Sequence, residues 1–252
     1  MNTPARLRLF CLPYSGASAM VYSRWRRALP EWLQVRPLEL PGRGMRMDEP
    51  LQRDIKNLAG QLADEIRAEL DGPYALFGHS LGGLLAFELA HALRERGAPP
   101  PLALFASGTA GPACRDVSEY AIEKNDEQLI ARLRELKGTG EDVLANAELM
   151  QLMLPILRAD FLLCGSFEYG EREPLSLPIH VFGGKQDTVR ADQLLDWQQD
   201  TASGFSLDMF DGHHFFLVQH ESSVLRCVRR YADEHLARWR NDAARQMARA
   251  TG

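Results

Sequence analysis

The sequence predicts an α/β fold, a mainly parallel central sheet with helices on both faces, and three observations carry that prediction. Six short apolar runs alternate with stretches of helical periodicity, the pattern of buried parallel strands joined by crossover helices. One strand-to-helix junction reads Gly-His-Ser-Leu-Gly. The 252 residues are 45% hydrophobic and 25% charged, values of an ordinary globular chain long enough to bury a sizeable core in one domain.

Residues 7–12 form the first predicted strand, too short and too interrupted by Arg8 to serve as an export signal or a membrane span. The second strand is expected over 35–40. Ile55, Leu58, Ala59, Leu62, Ile66 and Leu70 then recur at helical spacing, with Asp54, Lys56, Asp64, Glu65 and Arg67 on the opposite face. This amphipathic helix ends near Gly72-Pro73. A third strand is expected over 74–78, a helix over about 84–96 stopping at Gly97, and a fourth strand over 102–107. The alternation breaks between Pro112 and Pro174, where 126–137 and 149–161 have helical periodicity and no strand pattern is present. Strands over 179–183 and 205–210 complete the set, and a helix follows Glu221.

The implied organisation is a core of residues 1–111 and 175–240, a helical lid inserted over 112–174, and a flexible tail over 241–252. The polar, Ala-rich stretch from Arg238 reads as a frayed helix or a disordered end.

A net charge of −5 argues against nonspecific nucleic-acid binding, which needs clustered cations against phosphate. Four scattered cysteines, Cys11, Cys114, Cys164 and Cys227, form no C-x-x-C pair, so reduced thiols in a cytoplasmic protein are expected and a metal site is not.

Gly78-His79-Ser80-Leu81-Gly82 matches G-x-S-x-G directly after one strand and before a helix, where the motif lifts a serine hydroxyl above the sheet of an α/β-hydrolase fold. Ser80 is the candidate nucleophile. A serine at neutral pH needs a base to take its proton and an acid to orient that base. In this fold the acid precedes the base in the chain and both follow the serine.

Asp187, in the Gly183-Gly184-Lys185-Gln186-Asp187 loop, is the candidate acid. Asp211 is its rival, since Asp192 and Asp196 fall on a predicted helix and Asp208 in a strand. The base is His213 or His214, adjacent beyond the last strand, and spacing alone does not choose. His91, His180, His220 and His235 read as structural, and His79 as the variable residue of the elbow. Two backbone N–H groups are needed for the oxyanion: Leu81, after the nucleophile, and Ser15, in Pro13-Tyr14-Ser15-Gly16 after the first strand.

The ordered set Leu12-Pro13-Tyr14-Ser15-Gly16-Ala17, Leu40-Pro41-Gly42-Arg43-Gly44, Gly78-His79-Ser80-Leu81-Gly82-Gly83, Leu157-Arg158-Ala159-Asp160, Asp187 and His214-Phe215-Phe216-Leu217 resembles the type II, or external, thioesterases of nonribosomal peptide and polyketide synthases. The resemblance covers nearly the whole chain. It implies His214 as the base and Ser15 as the second oxyanion donor, although the family often has His-Ala or Tyr-Ala at 14–15 and Gly or Asp at 213. It also implies a monomer with no cofactor of its own, while the lack of a long apolar run and the net charge lead to the expectation of no membrane and no nucleic-acid partner.

The implied substrate is an acyl or aminoacyl thioester on the phosphopantetheine arm of a carrier domain, removed to clear misprimed or stalled siderophore or antibiotic synthases. Leu152, Met153, Leu154 and Leu157 read as lid core, with a place in the acyl chamber as the alternative. Arg226, Arg229, Arg230, Arg238 and Arg240 form either a solvated helix face or a surface for an acidic carrier. Two other readings use the same residues: a carboxylesterase or lipase on free esters, and a catalytically silent scaffold that binds synthase components.

Overall fold

Along the first strand, β1 (Leu7–Leu12), Leu7, Leu9 and Cys11 face one apolar layer and Phe10 and Leu12 the other. That alternation sets the architecture of the computed structural model, which describes residues 6–250. Next in the chain come the single turn α1 (Trp25–Ala28), β2 (Leu33–Pro37), α2 (Ile55–Ile66), β3 (Tyr74–His79), α3 (Leu81–Glu95) and β4 (Leu104–Ser107). They are followed by α4 (Asp126–Leu136), α5 (Glu141–Leu144), α6 (Ala147–Gly165), β5 (Ile179–Gly184), α7 (Ala191–Leu195), β6 (Phe205–Phe210), α8 (Phe216–Gln219) and α9 (Glu221–Ala250).

The strands form one sheet in the order β2-β1-β3-β4-β5-β6, every pairing parallel. One face packs on α2 and α3, where Ile55, Leu58, Leu62, Leu84 and Leu85 meet Phe10, Leu76 and Val181. On the other, Trp25, Phe216, Val224 and Val228 meet Leu9, Phe77, Phe105 and Phe182. Residues 112–174 contain only helices as regular elements, and α4 to α6 share a small core of their own around Leu133, Leu144, Leu154 and Phe161.

Several boundaries differ from expectation. β2 occupies 33–37 rather than 35–40, because pairing with β1 begins at Leu7 opposite Leu33. α3 starts at Leu81 rather than 84, with no linker after the elbow, since Gly82 sits where a Cβ would lie 2.2 Å from the Leu12 carbonyl oxygen. α6 runs four residues past the expected end, and Asn146 caps its start by accepting from the Glu148 and Leu149 amides. The short α5 was not anticipated. α9 continues as helix through 241–250, the stretch read as a frayed helix or a flexible tail, since Val224, Val228, Ala232 and Leu236 extend its apolar stripe and the following turns propagate from it; 251–252 lie outside the described residues.

Candidate active site

Strand order places the site. The chain runs from β1 outward to β2 and then returns to β1's other side as β3, so the carboxyl ends of β1 and β3 open a crevice between loops that diverge. Leu12 pairs with Gly78 across that junction, which sets the 13–16 loop beside Ser80. At the far side Gly184 pairs with Phe210, and the loops beyond them carry Asp187 and His214.

Ser80 has φ 55° and ψ −119°, a conformation costly for a residue with a Cβ. The turn is tight: a Cβ on Gly78 would lie 1.9 Å from the Gly82 carbonyl oxygen. The Ser80 amide is anchored to the Ser107 carbonyl at 2.7 Å, tying the elbow to β4.

His214 Nδ1 bonds both carboxylate oxygens of Asp187, at 3.1 and 3.0 Å, and the two side chains are 8% and 1% exposed. His213 turns elsewhere. Its Nδ1 donates to the Gln186 carbonyl at 2.9 Å and its Nε2 lies 3.5 Å from Lys137 Nζ. Asp211, the rival acid, is exposed and paired with Lys185 at 2.9 Å, a contact that holds its carboxyl below the usual range. Geometry therefore separates the two histidines where spacing did not.

His79, behind the nucleophile, is fully buried, with its Nδ1 2.9 Å from Ser107 Oγ and its ring centroid 5.1 Å from that of His214. Burial, reinforced by His214, pulls its pKa well below the usual value. A neutral imidazole thus lies behind the nucleophile.

The amides near Ser80 divide cleanly. In the turn Tyr14–Ala17, the Ala17 N–H goes to the Tyr14 carbonyl at 3.0 Å and the Gly16 N–H to Asp160 Oδ2 at 2.7 Å. The N–H groups of Ser15 and Leu81 have no acceptor among the described residues. Leu81 opens α3, where helix amides are unpaired and the dipole favours negative charge.

Ser15, Ser80 and His214 line one cavity of about 290 Å³, closed on the lid side by Leu133, Leu157 and Phe161. Of the four lid residues singled out in the sequence, only Leu157 lines it; Leu154 belongs to the lid core and Leu152 is 66% exposed. The α9 arginines are partly committed elsewhere: Arg230 lies over the Tyr231 ring and 3.5 Å from Asp208.

Sequence reasoning marked Arg43 and Asp160 only as parts of motifs. In the structure they form a buried ion pair, with Arg43 Nη1 and Nη2 donating to Asp160 Oδ2 and Oδ1 at 2.7 and 2.6 Å, and Nη1 also to the Ala17 carbonyl at 3.2 Å. A carboxylate on the otherwise apolar core-facing side of a predicted lid helix was the available signal. Among the described residues no group of three or more His, Cys, Asp and Glu is placed to hold a metal, and no helix is long and apolar enough to cross a membrane.

The thioesterase domain family matches residues 7–231. The gramicidin S biosynthesis protein GrsT of Aneurinibacillus migulanus is 39% identical over 226 residues, covering 89% of this chain and 88% of that protein. Two solved structures are similar throughout. The RedJ thioesterase from the prodiginine pathway of Streptomyces coelicolor superposes with a TM-score of 0.85 at 33% identity, covering 90% of this chain and 91% of that one. The type II thioesterase BorB from the borrelidin biosynthetic cluster gives 0.83 at 36% identity, covering 93% and 94%.

Proposed function

The chain belongs to the thioesterase family, serine hydrolases of the α/β-hydrolase fold, and on that premise we propose that it is an editing type II thioesterase that clears carrier domains of nonribosomal peptide or polyketide synthases. Its substrate in this reading is an acyl or aminoacyl thioester, with the phosphopantetheine arm arriving as part of the partner carrier. The enzyme itself uses no cofactor. Such synthases are cytoplasmic assemblies, and the protein works beside them.

Ser80 Oγ attacks the thioester carbonyl carbon while His214 Nε2 takes its proton. The oxyanion accepts from the N–H groups of Ser15 and Leu81, and collapse of the tetrahedral adduct expels the pantetheine thiolate, which regains a proton from His214. Water, deprotonated by His214, then attacks the acyl ester of Ser80; the second tetrahedral adduct releases the acid and restores the serine. Asp187 holds the imidazole with Nδ1 protonated and stabilises it when charged. Residues 112–174 act as the lid, enclosing the acyl chain over the reacting carbonyl.

The observation that carries this reading is the His214–Asp187 bond on the same cavity wall as Ser80, with two unpaired amides beside it. Single-turnover hydrolysis of an acetyl carrier protein and of a free p-nitrophenyl ester, by the wild type and by Ser80→Ala, tests it. Carrier preference lost in the variant is expected; preference for the free ester makes the protein a general esterase, and no Ser80-dependent turnover makes it a binding protein.

A further inference from the structure

Three hydrogen bonds hold the turn that presents the Ser15 amide, and the Tyr14 ring packs edge-on against His79 and Phe215 beside it. The Tyr14–Ser15 peptide is planar, so its carbonyl and its N–H point in opposite directions, and locking the Tyr14 oxygen onto the Ala17 amide aims the Ser15 N–H. That hydrogen bond is internal to the turn and cannot place the turn against Ser80. The other two reach outside it: the Gly16 N–H donates to Asp160 Oδ2, and the Ala17 carbonyl accepts from Arg43.

Both external partners converge on one ion pair. Asp160 comes from α6 in the 112–174 segment and Arg43 from the loop after β2, 117 positions apart, and their side chains are 0% and 4% exposed. Gly16, at φ +78°, lies so close under α6 that an added Cβ would come within 2.7 Å of Leu157 Cδ2. The fork of Arg43 engages both oxygens of Asp160 and so holds the carboxylate in one rotamer, leaving Oδ2 a lone pair for the Gly16 amide.

We propose that Asp160, backed by Arg43, is the positioning residue of the oxyanion site: it registers the Tyr14–Ala17 turn against the nucleophile and makes the placement of the Ser15 amide depend on the seating of α6. This rests on the assignment of Ser15 as an oxyanion donor. Neither side chain touches the substrate. Their effect passes through the turn, and a displacement of about 1 Å in a group of this kind can cost about 10²-fold in rate. A helix seated away from the turn leaves Ser80 and His214 in place with only one well-aimed donor, so enclosure of the acyl chain and completion of the catalytic apparatus become a single event.

The test uses the full chain carrying Asp160→Asn or Arg43→Lys, with the folded fraction measured by near-ultraviolet circular dichroism. On an acyl carrier, kcat is expected to fall about 10- to 100-fold with little change in KM. The affinity for an alkyl boronic acid, a tetrahedral anion once on Ser80, should fall by the same factor, while a nonhydrolysable thioether of the same acyl chain binds as before. Boronate and thioether affinities falling together, kcat falling only with the folded fraction, or kcat unchanged would each overturn the proposal. Should Asp160→Asn not fold, Arg43→Lys, which keeps the carboxylate beside a cation, carries the same expectation. Wild-type turnover that does not depend on Ser80 would instead overturn the mechanism beneath it, so the two failures are distinct.

Discussion

Asp187 accepts from His214 Nδ1 through both of its oxygens, at 3.1 and 3.0 Å, from a side chain 1% exposed. The carboxylate also lies 3.4 Å from the Thr188 hydroxyl and 3.4 Å from the Val189 amide, so the loop holds it from behind. Asp187→Asn keeps the shape but permits the wrong imidazole tautomer. We expect kcat to fall about 10³- to 10⁴-fold with the fold intact, measured by steady-state thioester hydrolysis beside a thermal melt.

The two adjacent histidines should separate sharply. His214→Ala removes the proposed base and should cost about 10⁴-fold or more in kcat. His213→Ala loses a bond to the Gln186 carbonyl and a contact with Lys137, and should leave kcat within an order of magnitude. Equal losses in the two variants would contradict the assignment.

At the elbow, Gly78→Ala sets a methyl against the Gly82 carbonyl at 1.9 Å, backbone on backbone, where no rotamer gives relief. A destabilisation of about 3 kcal/mol or more is expected in urea unfolding. A variant with wild-type stability would mean that the turn is looser than described.

Burial keeps His79 well below its ordinary pKa of 6.5, and burial with the neighbouring His235 brings His180 down to about 3. Below about 6.5 the unfolded chain takes up protons at these positions and the folded chain does not, so the unfolded state binds more protons and stability falls with pH. Each such histidine contributes a loss of up to about 1.4 kcal/mol per pH unit, and nothing above pH 6.5. Urea midpoints should therefore decline from pH 6.5 toward 4, less steeply in His180→Phe; an unchanged slope in that variant would show that His180 protonates readily when folded.

The parallel sheet was legible because its strands are short, apolar and flanked by turn residues, and Ser80 because its motif has a required strand-turn-helix setting. Chain order offered Asp187 as the candidate acid, with Asp211 as its rival. The choice of His214 over His213 was not readable from spacing, since it depends on which ring the loop after β6 turns toward β5's loop. Arg43 and Asp160 were visible only as fragments of motifs, because a partnership across 117 positions leaves no local periodicity to detect. The start of α3 was misplaced for a related reason: glycines that look like turn residues instead allow a helix to approach a strand end.

The order of the strands along the chain has a consequence for synthesis. Ser80 and the Leu81 amide are in place once β3 and α3 exist, whereas Asp160, which holds the turn of the Ser15 amide, comes with α6, and Asp187 and His214 follow β5 and β6, more than a hundred residues after Ser80. A chain emerging from the ribosome through β4 therefore exposes a serine with nothing to deprotonate it. With Ser80 as the proposed nucleophile and His214 as its proposed base, the nucleophile is made early and armed last.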